Sequence, residues 1–261
     1  MPIHNSVSSS GECRYVLSMR IDATSYHAAC DRILAWARAG QSRSVFFATV
    51  NTVMTGFDRP AFLQQVNGAD LVTSDGMPMV WALRGLGVAG ATRVYGPDLT
   101  AILLEKAEKE GLCAGFLGGS PETLSRLLRM VRSRYPALTI GFAHSPPFRP
   151  PTPREDAEVL EGIRSADVRI LFVGLGCPKQ ERWIAEHQGG LACVALAVGA
   201  AFDFLAGTLS HAPHWMQSSG LEWLFRLAVE PRRLWRRYLI LNPRFIWHFG
   251  RELLLGGRQT E

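Results

Sequence analysis

The chain lacks a long apolar run and an apolar leader segment. Its longest mostly apolar stretch, residues 191–202, is shorter than the about 20 residues that a bilayer-spanning helix needs. Residues 1–13 lack the apolar core of a signal peptide and are predicted to form a disordered tail. Any contact with a membrane is therefore predicted to be peripheral.

Cysteine is also sparse. The five cysteines are odd in number and scattered, with no CxxC pair and no Cys/His cluster. This usage argues against a structural zinc site and against a disulfide framework. A reduced, cytoplasmic compartment is therefore predicted.

What is present is an apolar chain of moderate length whose charge is concentrated at one end. Its 261 residues, 47% of them hydrophobic, fit one α/β domain with an appendage. Most of the net charge of +5 comes from residues 221–261, which hold eight arginines and four glutamates. Such local basicity indicates an anionic partner: phospholipid headgroups, a diphosphate or nucleic acid.

Strand and helix patterns alternate along most of the chain. The predicted strands are 15–21, 44–50, 71–73, 113–117, 138–142, 168–173 and 192–198. Repeated β-α-β units with short turns predict an α/β fold, with a Rossmann-like, largely parallel sheet covered by helices on both faces. The pattern changes near residue 215, so the predicted domains are a core of residues 14–215 and a basic amphipathic helical appendage of residues 216–261.

Two glycine turns follow predicted strands. Gly174 and Gly176 come just before a helix, where glycine allows close backbone approach and the helix N-terminus attracts phosphate. The alternative is a tight turn, and because the segment is neither GxGxxG nor a Walker P-loop it does not indicate nicotinamide or ATP. Gly118 opens a similar turn, for which a helix cap is the alternative. Because ligands bind at the carboxyl ends of parallel strands, both turns are expected to line one crevice.

Polar side chains follow other strands. Thr49 and Asn51 are predicted to share one face at a strand end, where their hydroxyl and amide are available to ligand hydroxyls. Asn51 is alternatively a turn former. Asp75, in an Asp-Gly pair, is either a turn or cap residue or a general base at the mouth of the crevice.

Two further charged residues have competing interpretations. Arg93 can clamp a phosphate with its planar fork of donors, or form a surface ion pair with Asp98. Asp203 follows a buried strand, where an N-cap role is one interpretation.

The appendage has apolar residues at helical spacing, and Pro231 and Pro243 divide it into short helices. The arginines that occupy much of its remaining surface include Arg226, Arg232, Arg233, Arg236, Arg237 and Arg244. Three interpretations stay open. They are a docked helix pair, a basic amphipathic surface on an anionic membrane, and nucleic-acid binding, for which no motif accompanies the charge.

Several short motifs occur together in a distinctive order. They are Pro178-Lys179-Gln180-Glu181, Asp203-Phe204-Leu205-Ala206-Gly207, Ala212-Pro213-His214-Trp215-Met216-Gln217, Gly220-Leu221-Glu222-Trp223 and Glu230-Pro231-Arg232-Arg233. In these motifs the chain resembles the WecG/TagA/CpsF glycosyltransferases (glycosyltransferase family 26), and the resemblance extends over about residues 17–245.

The resemblance implies an inverting transfer from a UDP-sugar to a polyprenyl-diphosphate-linked saccharide. The sugar would be N-acetylmannosamine, its uronic acid or glucose. The enzyme would lie on the cytoplasmic, anionic inner face of a bacterial membrane and serve the synthesis of a surface polysaccharide or wall polymer. A homo-oligomer is one assembly state that the sequence leaves open, and nucleic acid is not an expected partner.

Residue by residue, the resemblance makes Asp75 the base and assigns Asp203 to the nucleotide. It places Thr49, Asn51 and Gln180 at the sugars. The residues that it assigns to the diphosphate are Arg93 and, from the appendage, Arg232, Arg233, Arg236 or Arg237.

No Asp-x-Asp pair occurs, although common metal-dependent glycosyltransferases hold a divalent ion with such a pair. We therefore expect no metal and no cofactor, and expect protein cations to neutralise the charge on the leaving UDP. One departure is His211, which precedes Ala212 where relatives often carry arginine. Histidine is not reliably charged at neutral pH, so the choice of donor is expected to differ.

Two other classes of function remain as alternatives. A nucleotide-dependent oxidoreductase requires a dinucleotide fingerprint with an acidic residue about 20 residues further on, and none is evident. A non-catalytic membrane adaptor would need no polar pocket.

Overall fold

The structure, a computed structural model, describes residues 12–213, 215–216 and 219–255, without the side chain of Arg233. Most of the predicted N-terminal tail, the motif residues His214 and Gln217, and the predicted contact of Arg233 with a diphosphate therefore lie outside the described residues.

A six-stranded parallel sheet forms the core, in the order β4-β3-β8-β7-β5-β6. Its strands are β3 (Arg43–Ala48), β4 (Leu71–Ser74), β5 (Ala114–Gly118), β6 (Ile140–His144), β7 (Ile170–Gly174) and β8 (Val194–Ala197). A separate antiparallel hairpin consists of β1 (Cys13–Val16) and β2 (Met19–Asp22).

Helices connect the strands and extend beyond them. In the core they are α1 (Tyr26–Arg38), α2 (Val50–Asp58), α3 (Pro60–Asn67), α4 (Met77–Gly85), α5 (Gly96–Glu110), α6 (Pro121–Arg134), α7 (Pro153–Ser165), α8 (Lys179–His187) and α9 (Ala201–Leu205). The appendage contains α10 (Glu222–Val229), α11 (Pro231–Arg236), a π-helical segment (Arg237–Leu241) and α12 (Asn242–Leu254).

The sheet is buried on both faces, as parallel sheets with crossover helices require. Successive residues of a strand point to opposite faces, so Phe46 packs in one apolar layer and Phe47 in the other. Leu171 and Phe172 of β7 divide in the same way. The predicted α/β fold, with its parallel sheet between two helical layers, is confirmed.

Two predicted strands differ from those observed. Residues 15–21, predicted as one strand, contain the turn between β1 and β2, because Leu17 and Ser18 adopt φ angles of 50° and 68°. Residues 44–50 were also predicted as one strand, but the observed strand β3 ends at Ala48. The hydroxyl of Thr49 there accepts from the backbone N–H of Thr52 and begins α2. The alternation that placed Thr49 and Asn51 on one strand face was therefore wrong, and it missed helix α2.

The appendage packs against the core along one side only. Phe245 and Phe249 of α12 are buried in the apolar layer that also contains Phe46. Two polar contacts reinforce this packing. Both guanidinium nitrogens of Arg244 donate to Asp58, at 2.7 and 3.0 Å, and Glu252 accepts from the backbone N–H of Leu17 at 3.0 Å.

The other side of the appendage is apolar and exposed. Its exposed residues include Leu224, Trp235, Leu239, Ile246, Trp247 and Leu254. The helices among the described residues are all too short or too polar to cross a membrane. The docked-helix interpretation is thus satisfied by one face of the appendage, and the opposite face has no apolar cover among the described residues.

Candidate active site

A cleft of about 130 Å³ lies at the carboxyl ends of β3 and β4, where the appendage covers the core. Ligands bind at this edge of open parallel sheets because several loops converge there. From the core it is lined by Thr49, Asn51, Asp75, Met77, Pro78, Arg93 and Tyr95, and from the appendage by Glu222, Trp223, Arg226, Arg237, Tyr238 and Asn242.

Asp75 is the first residue after β4 and points into this cleft. Gly76 adopts a φ of 102°, which turns the chain sharply into α4, and it is Gly76 that occupies the N-cap position. Asp75 is therefore not a helix cap. Its Oδ2 accepts from the backbone N–H of Gly96 at 3.4 Å.

The environment of Asp75 alters its acidity. Burial is the main cause that raises its pKa to about 6; the positive charge of Arg93 opposes this rise, and the negative charge of Glu222 contributes to it. A carboxylate with this pKa is ionised at neutral pH and more basic than an exposed one. It is suited to accept a proton from a substrate hydroxyl.

Arg93 joins Asp75 to the appendage. Its Nη2 donates to Glu222 Oε2 at 2.6 Å and lies 3.9 Å from Asp75 Oδ1. The guanidinium also stacks 4.0 Å above the centre of the Tyr95 ring. The predicted alternative, a surface ion pair with Asp98, is wrong, because the Arg93 side chain is only 15% exposed and its partners line the cleft.

Thr49 and Asn51 reach the cleft from the first turn of α2. Besides capping that helix, the Thr49 hydroxyl accepts from Nη2 of Arg237 at 3.4 Å. The backbone carbonyl of Asn51 accepts from Thr55 at 2.7 Å, so it belongs to the helix and not to a turn. Both side chains share the cleft with Asp75.

Arg237 is the appendage arginine, of those predicted, that lines the cleft. It is the first residue of the π-helical segment, and burial lowers its pKa. Among the described residues, no carboxylate lies within ion-pair distance of its guanidinium. A buried cation without a carboxylate partner has a high affinity for an anion that enters the cleft.

Two other predicted appendage arginines, Arg232 and Arg236, lie elsewhere. Arg232 and Arg236 are exposed and outside the cleft lining, and Arg236 stacks on Trp235 at 5.5 Å. Arg226, which was not among the predicted site residues, lines the cleft instead. It lies between the motifs of residues 220–223 and 230–233, four residues before Glu230, which it contacts at 4.0 Å, and this position was the signal that could have identified it.

The glycine turns lie at the same sheet edge but not in the cleft lining. A Cβ on Gly118 would lie 2.5 Å from the Gly174 carbonyl, and one on Gly174 would lie 2.8 Å from the Phe202 ring. The backbone N–H of Gly119 donates to the Gly174 carbonyl at 3.1 Å. The two turns are therefore adjacent, and their glycines allow this close packing. Gly176 has a φ of 79° and open space around its Cα.

Gln180 and Asp203 hold loops at this edge. The buried Gln180 amide accepts from Gly176 N–H at 3.1 Å and donates to the Ala197 carbonyl at 3.0 Å, so it ties the ends of β7 and β8 together. Asp203 accepts from Thr123 at 3.4 Å. The N-cap interpretation of Asp203 is wrong, since Ala200 caps α9. Neither side chain lines the cleft with Asp75.

His211 has an aromatic neighbour. The His211 ring stacks on the Phe204 ring with centroids 4.6 Å apart. The guanidinium of Arg226 lies 5.5 Å from the centre of the Phe204 ring. The position where relatives often carry arginine is thus connected to a cleft arginine through Phe204.

Metal ions and dinucleotides are two further classes of ligand. Among residues 12–213, 215–216 and 219–255, no group of three or more His, Cys, Asp or Glu is placed to hold a metal ion. Residues 85–90 match GxGxxG, but they end helix α4 and do not follow a strand, so they lack the context of a dinucleotide fingerprint.

A parallel α/β sheet with two carboxylates and three arginines in a cleft at its carboxyl edge is suited to bind an anionic ligand. Sequence comparison makes the class specific. The profile of the glycosyl transferase WecG/TagA/CpsF family matches residues 14–259, and the chain belongs to this family. It is therefore a glycosyltransferase of cell-surface polymer synthesis. This assignment argues against both alternative classes, the oxidoreductase and the adaptor.

Proposed function

We propose that the protein is an inverting, metal-independent glycosyltransferase that moves a sugar from a UDP-sugar to a polyprenyl-diphosphate-linked saccharide. The sugar is N-acetylmannosamine, its uronic acid or glucose. The observation that carries the proposal is the buried carboxylate of Asp75 in a cleft with Arg93, Arg226 and Arg237. A base and anion-binding cations are the two requirements of a sugar transfer with a diphosphate leaving group.

In this mechanism Asp75 accepts the proton of the acceptor hydroxyl while the hydroxyl oxygen attacks the anomeric carbon. The bond between that carbon and the diphosphate oxygen breaks, and its electron pair leaves with UDP. Inversion follows from attack on the face opposite the leaving group. Asp75 is suited to this step because burial holds its pKa near that of a useful base.

The arginines stabilise the charge that develops on UDP. Arg93 and Arg237 converge on the cleft from the core and from the appendage, and Arg226 adds a third cation. Fixed donors of this kind stabilise a leaving diphosphate without a divalent ion. The exposed arginines Arg232 and Arg236, and the side chain of Arg233, would act at the lipid-linked diphosphate or the membrane.

Sugar recognition is proposed for the polar residues at the strand ends. Thr49 and Asn51 lie in the cleft, where the amide of Asn51 and the hydroxyl of Thr49, which also caps α2, are proposed to contact sugar hydroxyls. Gln180 contributes by holding the loop of Gly174 and Gly176, and Asp203 by holding the loop that follows β8. Gly118 keeps the two glycine turns close enough for a nucleotide to span them.

The exposed side of the appendage is proposed to contact the cytoplasmic face of the membrane. Trp235 and Trp247 are 45% and 66% exposed among arginines, which is the composition of an interfacial amphipathic surface. A chain truncated after residue 215 is expected to lose binding to anionic lipid vesicles in a flotation assay. Vesicle binding that survives the truncation would contradict this role.

The reaction is tested by measuring UDP release in EDTA. The protein is incubated with a panel of UDP-sugars and a lipid-diphosphate monosaccharide. Release from one donor that depends on the acceptor is the expected result, and it would identify the sugar. Release that requires added Mg²⁺ would contradict metal independence, and UDP binding without release would indicate a different acceptor.

A further inference from the structure

Glu222 of the appendage forms an ion pair with Arg93, one of the arginines that the proposed function assigns to the donor diphosphate. Its Oε2 lies 2.6 Å from Nη2 of Arg93, and both side chains are largely buried, at 16% and 15% exposure. The contact joins residues 129 positions apart in the sequence. It lies inside the cleft, with both residues in the lining.

This contact concentrates negative charge around one cation. Glu222 and Asp75 both face Arg93, the first in direct contact and the second at 3.9 Å. A diphosphate that approaches Arg93 therefore meets two carboxylates, and its negative charge is repelled by both. Asp75 is fixed by its backbone hydrogen bond from Gly96, so the group that can withdraw is Glu222.

Docking of the appendage does not depend on this ion pair. Arg244 and Asp58 form a bidentate pair outside the cleft, and Glu252 accepts from the Leu17 backbone. Next to Glu222, Gly220 packs so closely on Trp81 that a Cβ there would lie 2.5 Å from the indole. The appendage is thus held by other contacts, so loss of the Arg93–Glu222 ion pair does not require α10 to move.

We propose that Glu222 is an internal substitute for the donor diphosphate, which occupies Arg93 in the unliganded enzyme and is displaced when the donor binds. The identity of the displacing anion as a nucleoside diphosphate rests on the proposed function. Glu222 acts as a positioning residue. It holds the Arg93 guanidinium in the cleft while the site is empty, and it reduces donor affinity by competing for the same nitrogen.

The test compares wild type with Glu222→Gln, which keeps the size of the side chain and removes its charge. Dissociation constants for UDP and for inorganic pyrophosphate are measured by calorimetry at low ionic strength. Competition predicts about three- to tenfold tighter binding of both anions in Glu222→Gln. The KM for the donor is expected to fall with no rise in kcat, whereas a role in docking alone predicts unchanged or weaker binding and would overturn the inference.

Glu252→Gln is the matched control, since it makes the same chemical change in the appendage but away from the cleft. Its affinity for UDP and pyrophosphate is expected to equal that of wild type. Glu222→Asp is the second variant. It retains the charge but withdraws it from Arg93, and it is expected to bind with intermediate affinity, so the test stands if Glu222→Gln does not fold.

Failure of the inference and failure of the proposed function give different results. Tighter pyrophosphate binding in Glu222→Gln, without turnover of any UDP-sugar, would support the inference and reject the donor. Turnover of a UDP-sugar, with unchanged affinity of Glu222→Gln for pyrophosphate and UDP, would support the proposed function and reject the inference. Absence of pyrophosphate and UDP binding in every variant would overturn the inference, because Arg93 would then not bind anions.

Discussion

The core sheet and the appendage obtain their order in different ways. The strands are buried on both faces by apolar residues such as Phe116 and Phe172. The appendage buries one stripe, mainly Phe245 and Phe249, and depends on ion pairs for the rest of its docking. The cleft forms where these two regions meet, so the rigid sheet supplies Asp75 and the less firmly packed appendage supplies Arg237 and Glu222.

This division explains how one cleft can be both precise and adjustable. A base must be fixed relative to its substrate, and the end of a buried strand provides that fixity. Cations that surround a bulky lipid-linked substrate must allow it to enter and leave. An appendage with an exposed apolar face provides that freedom, because fewer buried contacts hold it in place.

The largest effect is expected from Asp75→Asn, which removes the proposed base from the core side of the cleft. The amide cannot accept the proton, so kcat should fall by roughly 10²–10⁴-fold. UDP release measures the loss, and circular dichroism checks the fold. Asp98→Asn, on an exposed position at the start of α5, is the control and should retain activity. Full activity of Asp75→Asn would reject the assignment of the base.

The next largest effect is expected from Arg237→Met on the appendage side. If Arg237 donates to the leaving diphosphate as proposed, its loss should lower kcat by roughly 10²–10³-fold. The melting temperature should not fall, because burial disfavours the charged guanidinium. Arg236→Met, one position away and exposed, is the matched control. Equal decreases of kcat in the two variants would show that the effect does not depend on the position of Arg237 in the cleft.

The pH dependence of the rate tests whether the appendage influences the pKa of Asp75 in the core. Because the raised pKa of Asp75 is about 6, kcat/KM should fall about tenfold per pH unit below that value, where the carboxyl is protonated. The charged and titratable groups that influence Asp75 are Arg93, Tyr95, Glu222, Arg226 and Arg237. Glu222→Gln should move this limb to lower pH, because it removes a charge that raises the pKa. If the acidic limb of kcat/KM stays at the same pH in Glu222→Gln, the appendage does not influence the pKa of Asp75.

The smallest effect on activity is expected from Phe249→Ala. The substitution loosens the docking of α12 and should reduce turnover a few-fold, with little change in the main unfolding transition. Phe116→Ala, at a fully buried core position, should instead lower the free energy of unfolding by about 3–5 kcal/mol. Thermal and denaturant unfolding, measured beside UDP release, compare the two. Similar unfolding losses would show that core and appendage form one cooperative unit.

The sequence by itself determined the framework of this protein. Alternating apolar strands and helices specified the parallel sheet, because a strand buried on both faces must be apolar throughout, as in Ile170–Gly174. For Asp75 and Arg93 the local signals left a turn or cap and a surface ion pair open as alternatives, and the structure places both side chains in the cleft. Where local signals competed, the prediction was wrong, as at Thr49, where capping of α2 ended the strand.

Only the tertiary structure decided which charges meet. Arg236 and Arg237 are neighbours with the same side chain, yet one is exposed and the other lines the cleft, because successive residues of a helix point in different directions. Likewise Glu222 and Arg93 form their ion pair across 129 residues. Such contacts depend on how the appendage packs on the core, and no local pattern of residues encodes a contact between positions so far apart in the sequence.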